Sequence, residues 1–414
     1  MKEFHKVLAK FTSSQVVSNL LRLISGLLVV RYVSPALYGQ YTGIGVYLGY
    51  VAIGQLGVVN GLGRELPYQL GKGSNRYADS LASSAFAFTI FVSAIAFILF
   101  FVVGVRHYIL SEYRSALLFL SYGLLAFFRI LNFHFLPVLY RTTKDFDRLS
   151  RINLIFSLFV LLTVLLVYIF GFKGLVIRGV FLALLQFTLM FTAKPIKLTL
   201  TYSKEHIYKL FTVGAPIFLV GYITPLWFTL TYSLVFDMAG ALQFGLFAIG
   251  TITLNVIKAI PDSVGGVIYP RMSMQYGRGM SYSQVLSDNL KPVVVLVLTL
   301  VLIGTSVYFL LPLVVPSVLP DYIGGIRAAQ FMSFLPAIMA MGGLNHIYNV
   351  VQKQKYYAIA LILGALFGLG SFLLLGKFYR FDLVHIPISF LIGTFVQQTI
   401  SLYFLFNVIA NAVE

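Results

Sequence analysis

Cysteine is absent from all 414 residues, which removes disulfides, thiolate nucleophiles and thiolate metal ligands together and leaves the compartment undecided. Charge is also scarce: Asp, Glu, Lys and Arg make up 10% of the chain against 59% hydrophobic residues. So little polar side chain cannot cover the surface of a water-soluble fold. Acids are the scarcest, 13 Asp and Glu against 30 Lys and Arg, for a formal net charge of +17. In a soluble protein that bias would point to nucleic acid. Here the basic residues sit mostly in short loops between apolar runs, where the topology rule and anionic membrane lipids account for them without a nucleic-acid partner. Catalytic signatures are missing as well. There is no H-E-x-x-H, no Walker loop and no G-x-S-x-G, and the six His are scattered singly. The longest loop, about 263–290, is too small for a soluble catalytic domain. No enzyme, metal or cofactor is expected.

What the chain has in abundance is apolar runs of membrane length. A hydrocarbon core about 30 Å thick takes roughly 20 apolar residues per helix. Windows of that kind lie at about 11–33, 41–63, 80–104, 115–140, 151–171 and 174–193, then at about 210–236, 241–262, 291–313, 322–350, 357–376 and 384–410. The expected fold is therefore all-α, a polytopic membrane protein of about twelve spans. The first window is too long for a signal-peptide core and lacks a small-residue cleavage pattern, so it should remain as the first helix. The pair meeting at Phe172-Lys173-Gly174 has the shortest connection.

The basic residues fall unevenly between alternate loops: nineteen on the side of Lys2, Lys72, Lys144 and Lys204, seven on the side of Arg106, Arg178 and Arg380. That asymmetry puts both termini in the cytoplasm of a plasma membrane. Four cations remain inside spans: Arg22, Arg129, Lys258 and Arg327.

The two sets of six windows form an internal repeat. Gln69-Leu70-Gly71-Lys72-Gly73 follows the second span and Gln275-Tyr276-Gly277-Arg278-Gly279 follows the eighth, 206 residues later. The same shift places Tyr38-Gly39 on Phe244-Gly245. The halves, 1–200 and 201–414, are expected to be parallel repeats related by an axis along the membrane normal, with a substrate path at their interface.

Charges at mid-membrane cost about 2.5–3.5 kcal/mol each on insertion scales, so they normally face a bundle interior or a watery cavity. In the first span Ser14, Gln15, Ser18, Asn19, Arg22 and Ser25 form one polar stripe. In the fourth, Tyr122, Arg129 and Asn132 share a face, and in the eighth Thr251, Asn255, Lys258 and Asp262 do. The tenth carries Arg327 towards one end and Asn345, His346 and Asn349 towards the other. The plainer reading of the uncharged groups is that they glue helices together. Lys258 and Asp262, four residues apart, can neutralise each other, and Arg327 can snorkel to the outer interface. Arg22 and Arg129 have no acidic partner on their own helices. A cationic cavity implies an anionic cargo, and the planar fork of arginine favours a diphosphate or an acidic sugar. The candidate substrate-binding set is Arg22, Arg129, Lys258, Asn19, Gln15, Asn132 and Asn255. Glu65, Asp237, Asp262 and Asp321 all fall near span ends. A coupling ion, H⁺ or Na⁺, would ordinarily want an interior carboxylate, so the energy source stays open.

The polar first span ending in Arg31-Tyr32-Val33-Ser34-Pro35-Ala36-Leu37-Tyr38-Gly39, the Gly-rich span after it, and Gly61-Leu62-Gly63-Arg64-Glu65 running into Gly71-Lys72-Gly73 carry a family resemblance. Over essentially its whole length the chain resembles the polysaccharide-repeat flippases (Wzx-type O-antigen transporters) of the multidrug/oligosaccharidyl-lipid/polysaccharide exporter superfamily. The resemblance implies a MATE-like fold of two six-helix lobes facing each other in a V, alternating access, and an undecaprenyl-diphosphate oligosaccharide, as in lipopolysaccharide O-antigen assembly, as cargo. Cavity cations of the family map onto Arg22, Arg129 and Lys258 by type and depth. Two other readings stay open: a cation or drug antiporter of the same superfamily, which should show buried carboxylates, and a membrane-embedded glycan polymerase or ligase, which should need a larger outer loop.

Overall fold

Inside hydrocarbon no water is available to satisfy peptide groups, so a chain this apolar must close its hydrogen bonds within helices or a barrel. A computed structural model describes residues 2–143, 145–351, 353–379 and 381–409 of the chain, and among them every regular element is helical. Lys144 and Arg380, which entered the loop count, lie outside the described residues.

In chain order the helices are α1 (Lys2–Tyr32), α2 (Pro35–Val46), α3 (Leu48–Val51), α4 (Val58–Gly71), α5 (Asn75–Ile109), α6 (Tyr113–Ile130), α7 (Leu136–Thr142), α8 (Phe146–Leu162), α9 (Val164–Thr192), α10 (Lys204–Leu246), α11 (Ala248–Gly277), α12 (Tyr282–Val318), α13 (Ile326–Met332), α14 (Leu335–Ala340), α15 (Ile347–Val350), α16 (Gln354–Phe378) and α17 (His385–Tyr403). The apolar windows of the sequence fall on this largely helical backbone, residue 410 at the end of the last lying outside the described residues. Eight described helical stretches are long and apolar enough to cross a membrane, or nine if the pair Pro35–Gln55 and Val58–Gly71, bent by 52°, is one span. The chain is a polytopic membrane protein.

Two of its breaks sit at glycines, which tolerate positive φ. Gly171 (φ 54°, ψ −128°) interrupts α9 between the windows ending at 171 and starting at 174. Gly240 (φ 77°, ψ 176°) interrupts α10 between the windows ending at 236 and starting at 241. The bend before α4 follows Leu56 (φ 49°) and Gly57 (φ 83°).

The chain divides into two compact units, Met1–Val33 with Gln40–Tyr222 and Ser34–Gly39 with Ile223–Glu414. α10 passes from the first into the second at Tyr222, some twenty residues beyond the junction at 200. In the first unit, Leu62, Leu66, Leu81, Ala85, Phe135, Leu136, Tyr140 and Leu149 share one core with Leu210. Without a hydrophobic drive between helices in lipid, close approach depends on small side chains. A Cβ on Gly61 would overlap the Leu210 carbonyl, and one on Gly214 would overlap the Gly57 carbonyl. In the second unit Trp227, the chain's one tryptophan, packs on Gly368 and Gly393, and stands edge-on to Phe390 at 5.6 Å.

The internal repeat has a physical basis. Gly73 (φ 75°) and Gly279 (φ 84°) end α4 and α11 in the same hydrogen-bonded cap. Gly73 N donates to Leu70 O and Ser74 N to Gln69 O; 206 residues on, Gly279 N donates to Tyr276 O and Met280 N to Gln275 O. This is the reverse turn in which the residue after a helix turns left-handed. In the second unit the repeat also touches itself: a Cβ on Gly39 would overlap the Ala241 carbonyl, and one on Gly245 would overlap the Pro35 carbonyl. Those two contacts exchange under the 206-residue shift, the reciprocity expected of a two-fold axis.

Candidate functional site

On α1 the predicted polar stripe separates into two strips. At about 100° per residue, Ser14, Ser25 and Ser18 fall together, and all three are buried. Arg22, Gln15 and Asn19 follow over roughly the next 100° of arc; Arg22 and Asn19 are exposed and Gln15 is half-buried. The far side carries Val16, Leu20, Ile24 and Val17, each about half exposed. The serine strip packs on α8, where Ser25 Oγ donates to Val160 O at 2.7 Å. Beside it Arg22 Nε donates to Ser157 Oγ at 3.1 Å, and the guanidinium lies 5.5 Å from the Phe156 ring centroid. The other four of its five N–H donors have no partner among the described residues.

Arg129 closes α6. Its guanidinium lies 4.5 Å above the Phe133 ring, its buried Nε has no hydrogen-bond partner among the described residues, and Tyr222 is within electrostatic range. No acidic side chain pairs with Arg22 or Arg129 among the described residues. Asn132 sits in a π-helical turn, Leu131–Phe135, wholly buried, with Nδ2 donating to Ala183 O of α9 at 2.8 Å. Its amide hydrogen therefore holds two helices together, the plainer of the two readings.

One cation that sequence reasoning placed in a loop belongs with these. Arg178 lies inside α9, two turns past the Gly171 break, and its Nη2 donates to Ser25 Oγ at 2.8 Å and to Val160 O at 3.2 Å. Electrostatic contact with Tyr41 extends the cluster, and Tyr122 Oη donates to Tyr41 O at 2.7 Å. The signal in the sequence was Ser25, a hydroxyl at mid-span needing a partner. That partner lies 153 residues away, beyond the reach of any local pattern.

In the second unit Lys258 and Asp262 form an ion pair at 3.8 Å and line a cavity of about 450 Å³. His346, Tyr357, Thr394, Gln397 and Gln398 line it with them. Behind this wall runs a polar chain. Asn345 Nδ2 donates to Gln398 Oε1 at 3.0 Å, Ser401 Oγ donates to Asn345 Oδ1 at 2.7 Å, and Tyr348 Oη donates to Ser401 O at 2.7 Å. Asn255 is exposed on α11 and is not part of the cavity wall, and Arg327 is exposed on α13. Arg22, Gln15, Asn19, Arg129 and Asn132 thus belong to the first unit, and Lys258 and Asn255 to the second.

Residues 28–320 match the family model described as polysaccharide biosynthesis protein. The chain belongs to that family. No functionally curated protein matches the sequence. Among solved structures, this family member is similar to a multidrug resistance MATE family transporter of the MOP superfamily in its inward-facing conformation, with a TM-score of 0.79 and 14% identity over 95% of each chain. It is similar to an outward-facing conformation of such a transporter with a TM-score of 0.66 and 15% identity, over 99% of this chain and 96% of that one. A MATE structure in complex with MaD3S gives 0.68 and 13%, over 99% and 96%. At such identities the likeness speaks for the fold, which is that of the MATE transporters. The polysaccharide biosynthesis family and the MATE-like fold agree with the family and fold that the sequence resemblance implied.

Proposed function

We propose that this protein is a transporter that moves an undecaprenyl-diphosphate-linked oligosaccharide from the cytoplasmic to the outer leaflet of a bacterial plasma membrane by alternating access. The observation that carries this reading is the pair of arginines, Arg22 on α1 and Arg129 on the membrane-length stretch Tyr113–Thr142, that have no acidic partner among the described residues. A cation left unpaired at such depth is costly, so it persists where a ligand supplies the missing charge. Four open N–H donors on Arg22 suit the paired oxygens of a diphosphate. Gln15 and Asn19 extend the same strip of α1 with neutral hydrogen-bonding groups. Lys258 and Asn255 contribute from the second half, Lys258 least as a charge because Asp262 already balances it. Asn132 acts by setting the spacing of α6 and α9. The two sequence halves, 1–200 and 201–414, serve as the lobes of the alternating-access cycle, with both termini in the cytoplasm, and H⁺ or Na⁺ is the candidate driving ion.

The fold also serves the multidrug transporters it resembles, so cargo sign is the discriminating property. In proteoliposomes, an undecaprenyl-diphosphate oligosaccharide and an organic cation are offered in parallel. Movement of the glycolipid, lost in Arg22→Ala and Arg129→Ala while membrane insertion is retained, is the expected result. Movement of the cation alone, or full glycolipid transport in both variants, defeats it.

A further inference from the structure

The cavity of the second unit is built for something other than the diphosphate. Its one lysine is balanced by Asp262 at 3.8 Å, so its lining offers little net charge to an anion. Hydrogen-bonding groups are what it offers instead. Gln397 is 6% exposed and Thr394 4%, both line the cavity from one face of α17, and neither side chain has a hydrogen-bond partner among the described residues. Neither is among the buried polar groups cut off from solvent, so their hydrogen-bonding atoms open onto the cavity, where a ligand bearing both donors and acceptors would meet them. Gln398, next to them, is tied through Oε1 to Asn345, so the wall that carries these groups is held in place from behind. An aromatic surface, Phe228, completes the lining and stacks on Phe390 at 4.1 Å. A volume of about 450 Å³ lies within the range of small-molecule sites, roughly 300–1,000 Å³.

From these features we infer that the cavity bounded by α11, α14 and α17 is a saccharide subsite, which holds a sugar of the cargo by its hydroxyl groups through Gln397 and Thr394. The inference rests on the proposed glycolipid cargo and divides the labour within it.

Trp227 provides the readout. It is the chain's one tryptophan, and its ring centroid lies 5.1 Å from that of Phe228 in the cavity wall. The full chain in nanodiscs is titrated with soluble oligosaccharides freed by mild acid from the native membrane's polyprenyl-diphosphate lipids, and separately with NaCl and inorganic phosphate. A saturable change in tryptophan emission with the oligosaccharides is expected. It should weaken about tenfold or more in Gln397→Ala and in Thr394→Val. Equal affinity in both α17 variants, or a response to Na⁺ or phosphate alone, overturns the subsite. Glycolipid translocation by the same proteins separates the two ideas. Wild-type movement that persists undiminished in Gln397→Ala and Thr394→Val sinks the subsite alone, whereas no movement by the wild type sinks the transport reading.

Discussion

Arg22 and Arg178 lean on the same helix, α8, but with different commitments. Arg178 ties α9 to both α1 and the Val160 carbonyl, whereas Arg22 makes one bond to Ser157. Hydrogen bonds to a charged group contribute roughly 1.5–3 kcal/mol. Arg178→Ala should therefore destabilise the chain by about 2 kcal/mol or more, read as a lowered midpoint of thermal unfolding in detergent. Arg22→Ala should leave that midpoint nearly unchanged while abolishing glycolipid transport. Equal midpoint losses in the two variants would mean that Arg22 is structural. The sequence made Arg22 and Arg129 visible because each stands on a long apolar helix. Arg178 was not visible as a span residue: it stands four positions into its window, where a hydropathy reading cannot tell a loop cation from a buried one. Asn132 was legible as polar and buried but not as bonded to Ala183, because that partner sits on another helix.

Helices were the most legible level, since hydrocarbon admits little else and composition alone gives their approximate limits. The breaks at Gly171 and Gly240 were foreshadowed by the gaps between windows. Less legible was the reason the repeat preserved Gln-x-Gly-(Lys/Arg)-Gly. The second glycine of each copy is the left-handed residue of a helix cap, and an L side chain there costs about 1 kcal/mol. Gly73→Ala and Gly279→Ala should each lower stability by about that amount, because a Cβ built there would meet open space and add no clash. Gly39→Ala and Gly245→Ala should do more, about 2 kcal/mol or beyond, because there a methyl group overlaps a backbone carbonyl rather than open space. Chemical denaturation of the four variants ranks them. Equal losses in all four would remove the close backbone approach from the account.

At the scale of the whole chain, the absence of cysteine becomes an experimental convenience. Single cysteines at Lys72, Lys204 and Arg106 can be placed in the native background with no other thiol to react. If both termini are cytoplasmic, a membrane-impermeant maleimide applied outside intact cells labels the position at Arg106 and spares the other two. The opposite pattern would invert the orientation read from the loop charges. The all-helical membrane architecture was legible from hydropathy, and the 206-residue interval reappears in the matching caps at Gly73 and Gly279. The unit boundary at Tyr222, inside a continuous helix, was not legible, because nothing in composition changes there.

The second unit is discontinuous in sequence: Ser34–Gly39 belongs to it, although nearly two hundred residues separate that segment from the rest. A gene cut at the midpoint would thus yield halves of unequal independence. The later fragment would lack Pro35 and Gly39, against which Ala241 and Gly245 pack, while the earlier one would carry that hexapeptide with nothing to receive it. Split forms of this protein should work only when both fragments are made in the same membrane.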